Sequence, residues 1–351
     1  MNKRVVVCMS GGVDSTVAAH LLQEQGYEVE GITFLFWSFS GAPYYLERAG
    51  RCLANTASLA ARELEIPHHT IDASAQFYDL VLRDFVKLSL LGETPNPCGR
   101  CNRYLRFDLA LHYAAEHGFD RVATGHHAQI LRAEDGLLHL CKGRDLQKDQ
   151  SYFLYGLKAK DLGRLVFPVG GMTKKEVFSI ADAQGLRAAS LPESQDLCFI
   201  QAGRVDFLFS SKDLTPGPII DRQGDILGEH RGLPCYTVGQ RRNLGVTAKR
   251  PLYVIAIDQT RNALIVGQEE DLYASSLVAR ERHFLSGEAM RAGLRVGAKI
   301  RYRSSASACT LCPLDKERFS IHFDEPQRAI TPGQIVAIYD GARLLGGGII
   351  E

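Results

Sequence analysis

The stretch Val5-Val6-Val7-Cys8-Met9-Ser10-Gly11-Gly12-Val13-Asp14-Ser15 constrains the fold more than any other part of the chain. Its apolar, β-branched opening is too short for a typical helix and reads as a buried strand. Ser10-Gly11-Gly12 then turns the chain, and apolar residues at helical spacing follow from about Val13. A strand, a glycine-rich turn and a helix N-terminus together make an anion site, because backbone N–H groups converge there and the helix dipole adds partial positive charge. No Lys follows the glycines and G-x-G-x-x-G is absent, so neither the P-loop nor the dinucleotide fingerprint is met. On these residues alone the other reading is an ordinary tight strand-to-helix turn.

At 351 residues the chain is long enough for two or three domains, each with its own core. Apolar residues at 45% and charged residues at 23% are the mix of a soluble globular protein. A formal charge of +1 does not announce a nucleic-acid binder, so any basic surface must be local. Val5–Met9 is too short for a signal-peptide core, and the densest later apolar stretch, Ile32–Trp37, is too short to span a bilayer. Nine cysteines without a secretory signal point to thiol chemistry or metal binding rather than a disulfide scaffold. A cytoplasmic protein with no membrane partner is expected.

Taken in order, the chain predicts helix Val13–Gln25 ended at Gly26, strand Val29–Trp37, an irregular aromatic loop over Phe36–Arg51, and a helix from about Leu53 to Glu65. Strand His68–Ile71, helix Phe77–Leu91, a Pro-rich loop over Thr94–Asn102, helix Tyr104–His117 and strand Arg121–Thr124 follow. Alternating strands and helices predict an α/β fold with a doubly wound, mostly parallel sheet, whose ligands sit beyond the carboxyl ends of the strands. Phe34, at such an end, either packs on an adenine or is plain core. A hairpin over Ile130–Lys142, a helix opening at Lys148–Phe153 and helix Lys174–Gln184 complete this part. After about Phe209, turns and short strands predict a small β-rich domain, with Leu252–Ile257 and Ala263–Val266 around a turn. From about Ser275 a second one begins, a small β-barrel with strands Lys299–Arg303, Arg318–Phe323 and Gln334–Tyr339 and a hairpin turn at Asp340-Gly341. The expected domains are therefore 1–205, 206–272 and 273–351.

Cys101 stands close to the start of the predicted helix Tyr104–His117, where the dipole, Arg100 and Arg103 would all favour a thiolate and lower its pKa. Cys198 is a second cysteine, in the polar-to-apolar transition Ser194–Ile200. Cys309-x-x-Cys312 lacks the spacing of a zinc ribbon.

Ser10–Ser15 resembles the pyrophosphate loop of the ATP-pyrophosphatase superfamily. The resemblance extends to Thr94–Pro97 with Cys101-Asn102, Gly125-His126, Lys148–Leu154, Ser194–Ile200, Tyr236–Arg241, Phe323–Arg328 and Gly346–Glu351. This ordered set resembles the tRNA-specific 2-thiouridylase family. The resemblance implies ATP-dependent sulfuration of the wobble uridine of tRNAs for Lys, Glu and Gln, with a sulfur-donor protein or sulfide as partner and Mg²⁺ beside ATP. It implies Cys101 as nucleophile and Cys198 as the cysteine that receives persulfide sulfur. Cys8, Met9, Ser10, Gly11, Gly12, Val13, Asp14, Ser15, Phe34 and Gly125 would surround ATP, with Asp14 the carboxylate associated with Mg²⁺. Asn96, Pro97 and Cys98 would meet the target base. His126, Lys148, Asp149, Gln150, Arg301, Tyr302 and Gln334 would contact tRNA. Arg241, Arg242, Lys249 and Arg250 form a further basic patch, either solvated or phosphate-facing.

One departure stands out, because members of this family usually carry Asp where this chain has Cys98. Cys98, Cys101 and Cys198 would suffice to hold a [4Fe–4S] cluster with one iron open. Equally, Cys98 is a tolerated substitution beside a persulfide pair, and C-x-x-C also suits a redox pair. A different adenylating enzyme on the same fold, such as an amide-forming synthetase acting on a small molecule, is the rival reading.

Overall fold

The valine run forms β1 (Arg4–Cys8), followed by β2 (Glu28–Leu35), β3 (His68–Asp72), β4 (Arg121–Thr124), the hairpin β5 (Ala128–Arg132) and β6 (Leu138–Lys142), and the two-residue β7 (Leu165–Val166). The computed structural model describes residues 3–36, 44–134, 136–191, 197–199, 206–285 and 291–351, without the side chains of 44–49, 51 and 206. Two compact units emerge: Met1–Val81 with Cys98–Gln195 and Ala342–Leu345, and Leu82–Pro97 with Asp196–Gly341 and Gly346–Glu351.

In the first unit the sheet order is β3-β2-β1-β4-β7, and every neighbouring pair is parallel. Successive side chains of a strand face opposite sides. Val5 and Val7 therefore face one core layer with Val17, Leu22, Ala57, Ala61, Val177 and Ala181, which come from α1 (Val13–Glu24), α2 (Tyr44–Glu63) and a later helix, Lys174–Ala183. The chain runs outward from β1 to β3 and then returns to place β4 on the other side of β1. The switch point thus lies between β1 and β4, where ligands of such sheets bind.

α2 begins at Tyr44, so the expected loop over Phe36–Arg51 ends earlier than its aromatic and glycine content suggested. The expected helix Phe77–Leu91 is built from α3 (Ser74–Phe77), a π turn over Tyr78–Leu82 and α4 (Arg83–Leu90). A second π turn, Asn102–Arg106, separates α5 (Pro97–Cys101) from α6 (Phe107–Glu116). The stretch around Pro97 is thus helical where a loop was expected. Proline is well suited to a first helical turn, whose N–H groups have no intrahelical partner. The helix expected to open at Lys148 is a single 3₁₀ turn, Ser151–Leu154, whereas α7 (Lys174–Ala183) matches expectation.

The second unit carries β8 (Gly217–Ile220), β9 (Ile226–His230), β10 (Tyr253–Asp258) and β11 (Ala263–Gly267) in a sheet of order β10-β11-β8-β9. Its core gathers Ile219, Leu233, Tyr236, Leu244, Val254, Leu264 and Val266. β12 (Tyr273–Phe284), β13 (Leu294–Lys299), β14 (Ser307–Pro313), β15 (Phe319–Arg328), β16 (Ile335–Asp340) and β17 (Arg343–Ile350) follow in the order β12-β15-β14-β13-β16-β17. An additional β12–β17 pairing closes them into a six-stranded barrel, the expected architecture. The strand expected at Lys299–Arg303 instead ends at Lys299, leaving Arg301 and Tyr302 in the turn beyond it. Cys309 and Cys312, three apart on β14, fall on opposite faces: Cys309 is buried and its thiol donates to Val296 O at 3.5 Å. No helix among the described residues is long and apolar enough to cross a membrane.

Candidate active site

A cavity of about 210 Å³ opens at the switch point, lined by the ends of β1 (Cys8, Met9), β2 (Ile32, Thr33, Phe34, with Phe36 beyond) and β4 (Thr124, Gly125, His126), and by Ser10, Asp14, Ser15, Leu53, Arg106 and Gln150. Ile32, Phe34, Phe36 and Leu53 give it apolar wall, while Ser10, Asp14, Ser15 and Gln150 are polar. The loop is held by its own hydroxyls. Ser15 Oγ accepts from Ser10 N at 3.1 Å and donates to Gly12 O at 3.1 Å, and Thr16 Oγ1 donates to the same carbonyl at 3.0 Å. Gly11 has φ +76°, and a Cβ there would meet the Thr56 and Ala57 backbone at 2.6 Å. A Cβ on Gly125 would lie 2.6 Å from Ser15 N, so only glycine lets the end of β4 approach the start of α1 this closely. Val13, Gly11 and Gly12 shape the turn, and Met9 packs beside Gly31, where a Cβ would meet its sulfur at 2.6 Å.

Asp14 is held by two basic side chains. Lys174 Nζ donates to both carboxylate oxygens at 2.7 Å, and His127 Nε2 donates to Oδ1 at 3.0 Å. Burial pushes the Asp14 carboxyl up, but these two partners more than offset it and hold the pKa below its ordinary value. Lys174 lies 160 positions away in sequence, at the first position of α7, and nothing in the local pattern marks it. His127 Nδ1 is buried without a hydrogen-bond partner.

The expected tRNA contacts divide. His126 lies between Phe107 and Phe167, at ring-centroid distances of 5.8 and 6.0 Å, with Nδ1 2.6 Å from Thr124 Oγ1. Burial, then the Arg106 and His127 charges, drive its pKa down to about 3, so it is a neutral wall of the cavity. Asp149 is buried and turned onto backbone, accepting from Gly143 N at 3.1 Å and Ser151 N at 3.0 Å. Gln150 likewise faces inward, accepting from His127 N at 3.0 Å. Lys148 is half-buried. In the second unit, Gln334 Nε2 donates to Thr94 O at 2.7 Å, and Thr94 N donates to Pro332 O at 2.8 Å. Gln334 therefore anchors the chain just before Asn96 and Pro97, of which Pro97 is buried. Arg301 donates to Arg328 O at 2.5 Å, and the Lys299 ammonium sits 5.5 Å over the Tyr302 ring.

Cys98 and Cys101 lie on α5, three residues apart on one helix face. The expectation of a low-pKa thiol at Cys101 is not met. Burial pushes the thiol above its ordinary value, against opposing hydrogen bonds and charge from Arg106. Cys98 is driven to about 12 by burial and by the neighbouring Cys101, with Arg106 opposing, and burial takes Cys8 to about 12 as well. Neither Arg100 nor Arg103 serves the thiol. Arg100 donates to Leu80 O at 2.7 Å, and Arg103 stacks on Tyr104 at 4.8 Å. Cys198 is exposed, beside the buried Phe199, whose ring meets Phe85 edge-on at 5.2 Å. Ser194, Gln195, Asp196 and Ile200 of its motif lie outside the described residues. Among the described residues no three His, Cys, Asp or Glu side chains gather closely enough to hold a metal ion.

A parallel sheet with a glycine turn and a cavity at its switch point defines a nucleotide-binding α/β protein of the HUP class. Three domain families match the chain in order: a tRNA methyl transferase HUP domain over residues 3–202, a tRNA methyl transferase PRC-barrel domain over 205–268 and an aminomethyltransferase β-barrel domain over 274–350. The tRNA-specific 2-thiouridylase MnmA of Geobacter metallireducens is 44% identical over 358 residues, covering 99% of this chain and 97% of the relative. That of Moorella thermoacetica is 44% identical over 353 residues, covering 99% of each. A tRNA-specific 2-thiouridylase MnmA 1 of Caldanaerobacter subterraneus is 42% identical over 361 residues, covering 100% of this chain and 98% of the relative. The chain belongs to the tRNA-specific 2-thiouridylase family, a family of enzymes.

Proposed function

We propose that the protein is a cytoplasmic, ATP-dependent sulfurtransferase that installs sulfur at C2 of the wobble uridine, U34, of tRNAs for Lys, Glu and Gln. The observation that carries this is the cavity at the switch point, whose cation Arg106 closes the π turn that follows Cys101. Adenosine lies against Phe34, and the β- and γ-phosphates meet the backbone N–H groups of Ser10–Ser15 and the start of α1. The uracil O2 attacks the α-phosphate, pyrophosphate departs, and the oxygen becomes part of a good leaving group, AMP. The outer sulfur of a cysteine persulfide then attacks C2 and AMP leaves; a second thiol attacks the inner sulfur, so that the S–S bond breaks, 2-thiouridine is released and a disulfide remains for a thiol reductant to reopen. Cys101 is the nucleophile. Cys198, exposed, receives its outer sulfur by exchange with the persulfide of a sulfur-donor protein, whose own cysteine is returned as a thiol. Asn96, Pro97 and Cys98 meet the extruded base, at an unstacking cost of about a few kcal/mol. Lys148, Arg301 and Tyr302 touch tRNA, while Asp149, Gln150 and Gln334 hold the segments that do.

Mg²⁺ enters as part of the ATP substrate, held by phosphate oxygens, because Asp14 is taken up by Lys174 and His127. In this reading the sulfur is carried as a cysteine persulfide rather than as hydrosulfide on a cluster. Iron-free protein is therefore expected to thiolate tRNA with a persulfide donor; activity that appears only with iron and acid-labile sulfide, and falls in Cys98→Asp, would reject this route. The decisive assay for the whole reading incubates the full chain with tRNA, ATP and a persulfide donor. It follows 2-thiouridine by nucleoside chromatography and pyrophosphate by coupled release. Both products, dependent on tRNA, are expected. Pyrophosphate release at the same rate without tRNA would favour a synthetase acting on a small molecule.

A further inference from the structure

One side chain joins the cavity to the thiol helix. Arg106 is the single permanently cationic residue among those described as lining the cavity, and His126, the other basic group there, is neutral. The same residue stands near Cys101, whose ionised form its charge favours against the larger effect of burial. The backbone makes this approach possible. In an α-helix five residues advance by about 500°, so positions i and i+5 point roughly 140° apart around the axis. Asn102–Arg106 is instead a π turn, closed between residues five apart, which brings Arg106 over Cys101. Such turns are rare and are found mostly as single-turn insertions at functional sites.

With adenosine against Phe34 and the β- and γ-phosphates at Ser10–Ser15, covalent order puts the α-phosphate between them. Of the described residues that line the cavity, Arg106 alone brings a permanent positive charge to that space. We propose that Arg106 is a catalytic residue of adenylation, its guanidinium contacting the α-phosphate while the π turn keeps it against Cys101. The proposal rests on the thiouridylase reading. In the step, uracil O2 donates an electron pair to the α-phosphorus and the bond from that phosphorus to the oxygen bridging to the β-phosphate breaks. Pyrophosphate leaves with the electron pair, and the N3 proton passes to solvent. Negative charge on the non-bridging α-oxygens is met by the planar fork of the guanidinium. Because Arg106 closes the π turn that follows Cys101, the sulfur nucleophile stands on the same helical stretch as the cation that meets the α-phosphate.

The test compares wild-type full chain with Arg106→Lys and Arg106→Gln. One arm measures tRNA-dependent pyrophosphate release at saturating ATP. The other measures equilibrium binding of the two diastereomers of adenosine 5′-(α-thio)triphosphate. Arg106→Gln is expected to lower the rate of pyrophosphate release about 100-fold or more, the scale seen when one preorganised donor to a developing charge is removed. ATP binding should weaken far less, and Arg106→Lys should fall between. Wild type should discriminate between the diastereomers, and both variants should lose that preference. Pyrophosphate release within threefold of wild type, or an unchanged diastereomer preference, overturns the proposal. So does a loss confined to sulfur transfer, which would leave Arg106 serving Cys101 alone. If Arg106→Gln does not fold, Arg106→Lys decides. The binding arm needs neither tRNA nor sulfur, so it stands even if wild type releases no pyrophosphate with tRNA and the thiouridylase reading fails.

Discussion

Single residues at the cavity are tuned by burial more than by charge, and His126 shows this best. Its ordinary pKa near 6.5 falls to about 3 in the fold, because the protonated ring would be desolvated and would face Arg106 and His127. Between those two pH values the unfolded chain binds a proton that the folded chain does not. Stability is therefore fully present above about 6.5 and falls as the pH drops, at about 1.4 kcal/mol per pH unit from this group. His126→Gln should remove that part of the slope. Urea titrations at pH 6.5 and 5 should show wild type losing about 2 kcal/mol more than the variant; equal losses would mean that the ring is not held neutral. Cys101 invites a different test. Cys101→Ser should abolish 2-thiouridine formation and leave tRNA binding within about threefold, as expected for a thiol that is a reactant rather than a recognition group. Persisting thiolation would remove Cys101 from the nucleophile's place.

At the scale of elements, α7 matters less for its apolar face than for its first residue. Thr173 caps the helix by accepting from Glu176 N at 3.3 Å, and Glu176 returns a bond to Thr173 N at 2.7 Å, which fixes Lys174 one residue later against Asp14. Thr173→Ala should cost about 1 kcal/mol of stability and raise the KM for ATP several-fold. An unchanged KM at the lower stability would confine the cap to a structural role. The sequence makes the cap legible as Thr173-x-x-Glu176 but hides its use, because the partner Asp14 is 160 positions away. The same limit governs the thiol helix. Strand alternation, the glycine turn and the helix stops are local patterns, and they mark the sheet, the phosphate loop and the barrel. A π turn changes the residue spacing that such patterns assume, so Arg106 cannot be paired with Cys101 by counting at 3.6 residues per turn. Pro95-Asn96-Pro97 reads as loop although Pro97 opens α5, because turn and first-turn prolines look alike in sequence. The raised thiol pKa is likewise invisible to a helix-dipole argument, since burial comes from the whole unit.

For the whole molecule the question is how a chain with 41 basic and 40 acidic side chains binds a polyanion. The answer must be local, and the basic segment from Arg241 to Arg250 is one place to test it. Leu244 is buried in the core of the second unit with Val246 packed against it. Gln240 Nε2 donates to Arg242 O at 3.0 Å, and Gly239 N and Gln240 O bond to Val254 at 2.8 and 2.9 Å. Asn243 and Gly245 take φ of +60° and +75°, which bend the segment outward and back. Arg241, Arg242, Lys249 and Arg250 are thereby exposed on a segment pinned at its apolar positions, so little ordering entropy opposes their use. If they face phosphates, replacing all four by Gln should reduce the magnitude of the slope of log K against log salt for tRNA by roughly 0.7–0.9 for each phosphate no longer neutralised. Affinity should fall to a similar degree for different tRNAs, because phosphate recognition carries no base information. The rate at saturating tRNA should stay near wild type, since no member of the set lines the cavity. An unchanged salt slope would leave these four charges as a solvated face and move phosphate binding elsewhere, beginning with Arg301 and Lys148.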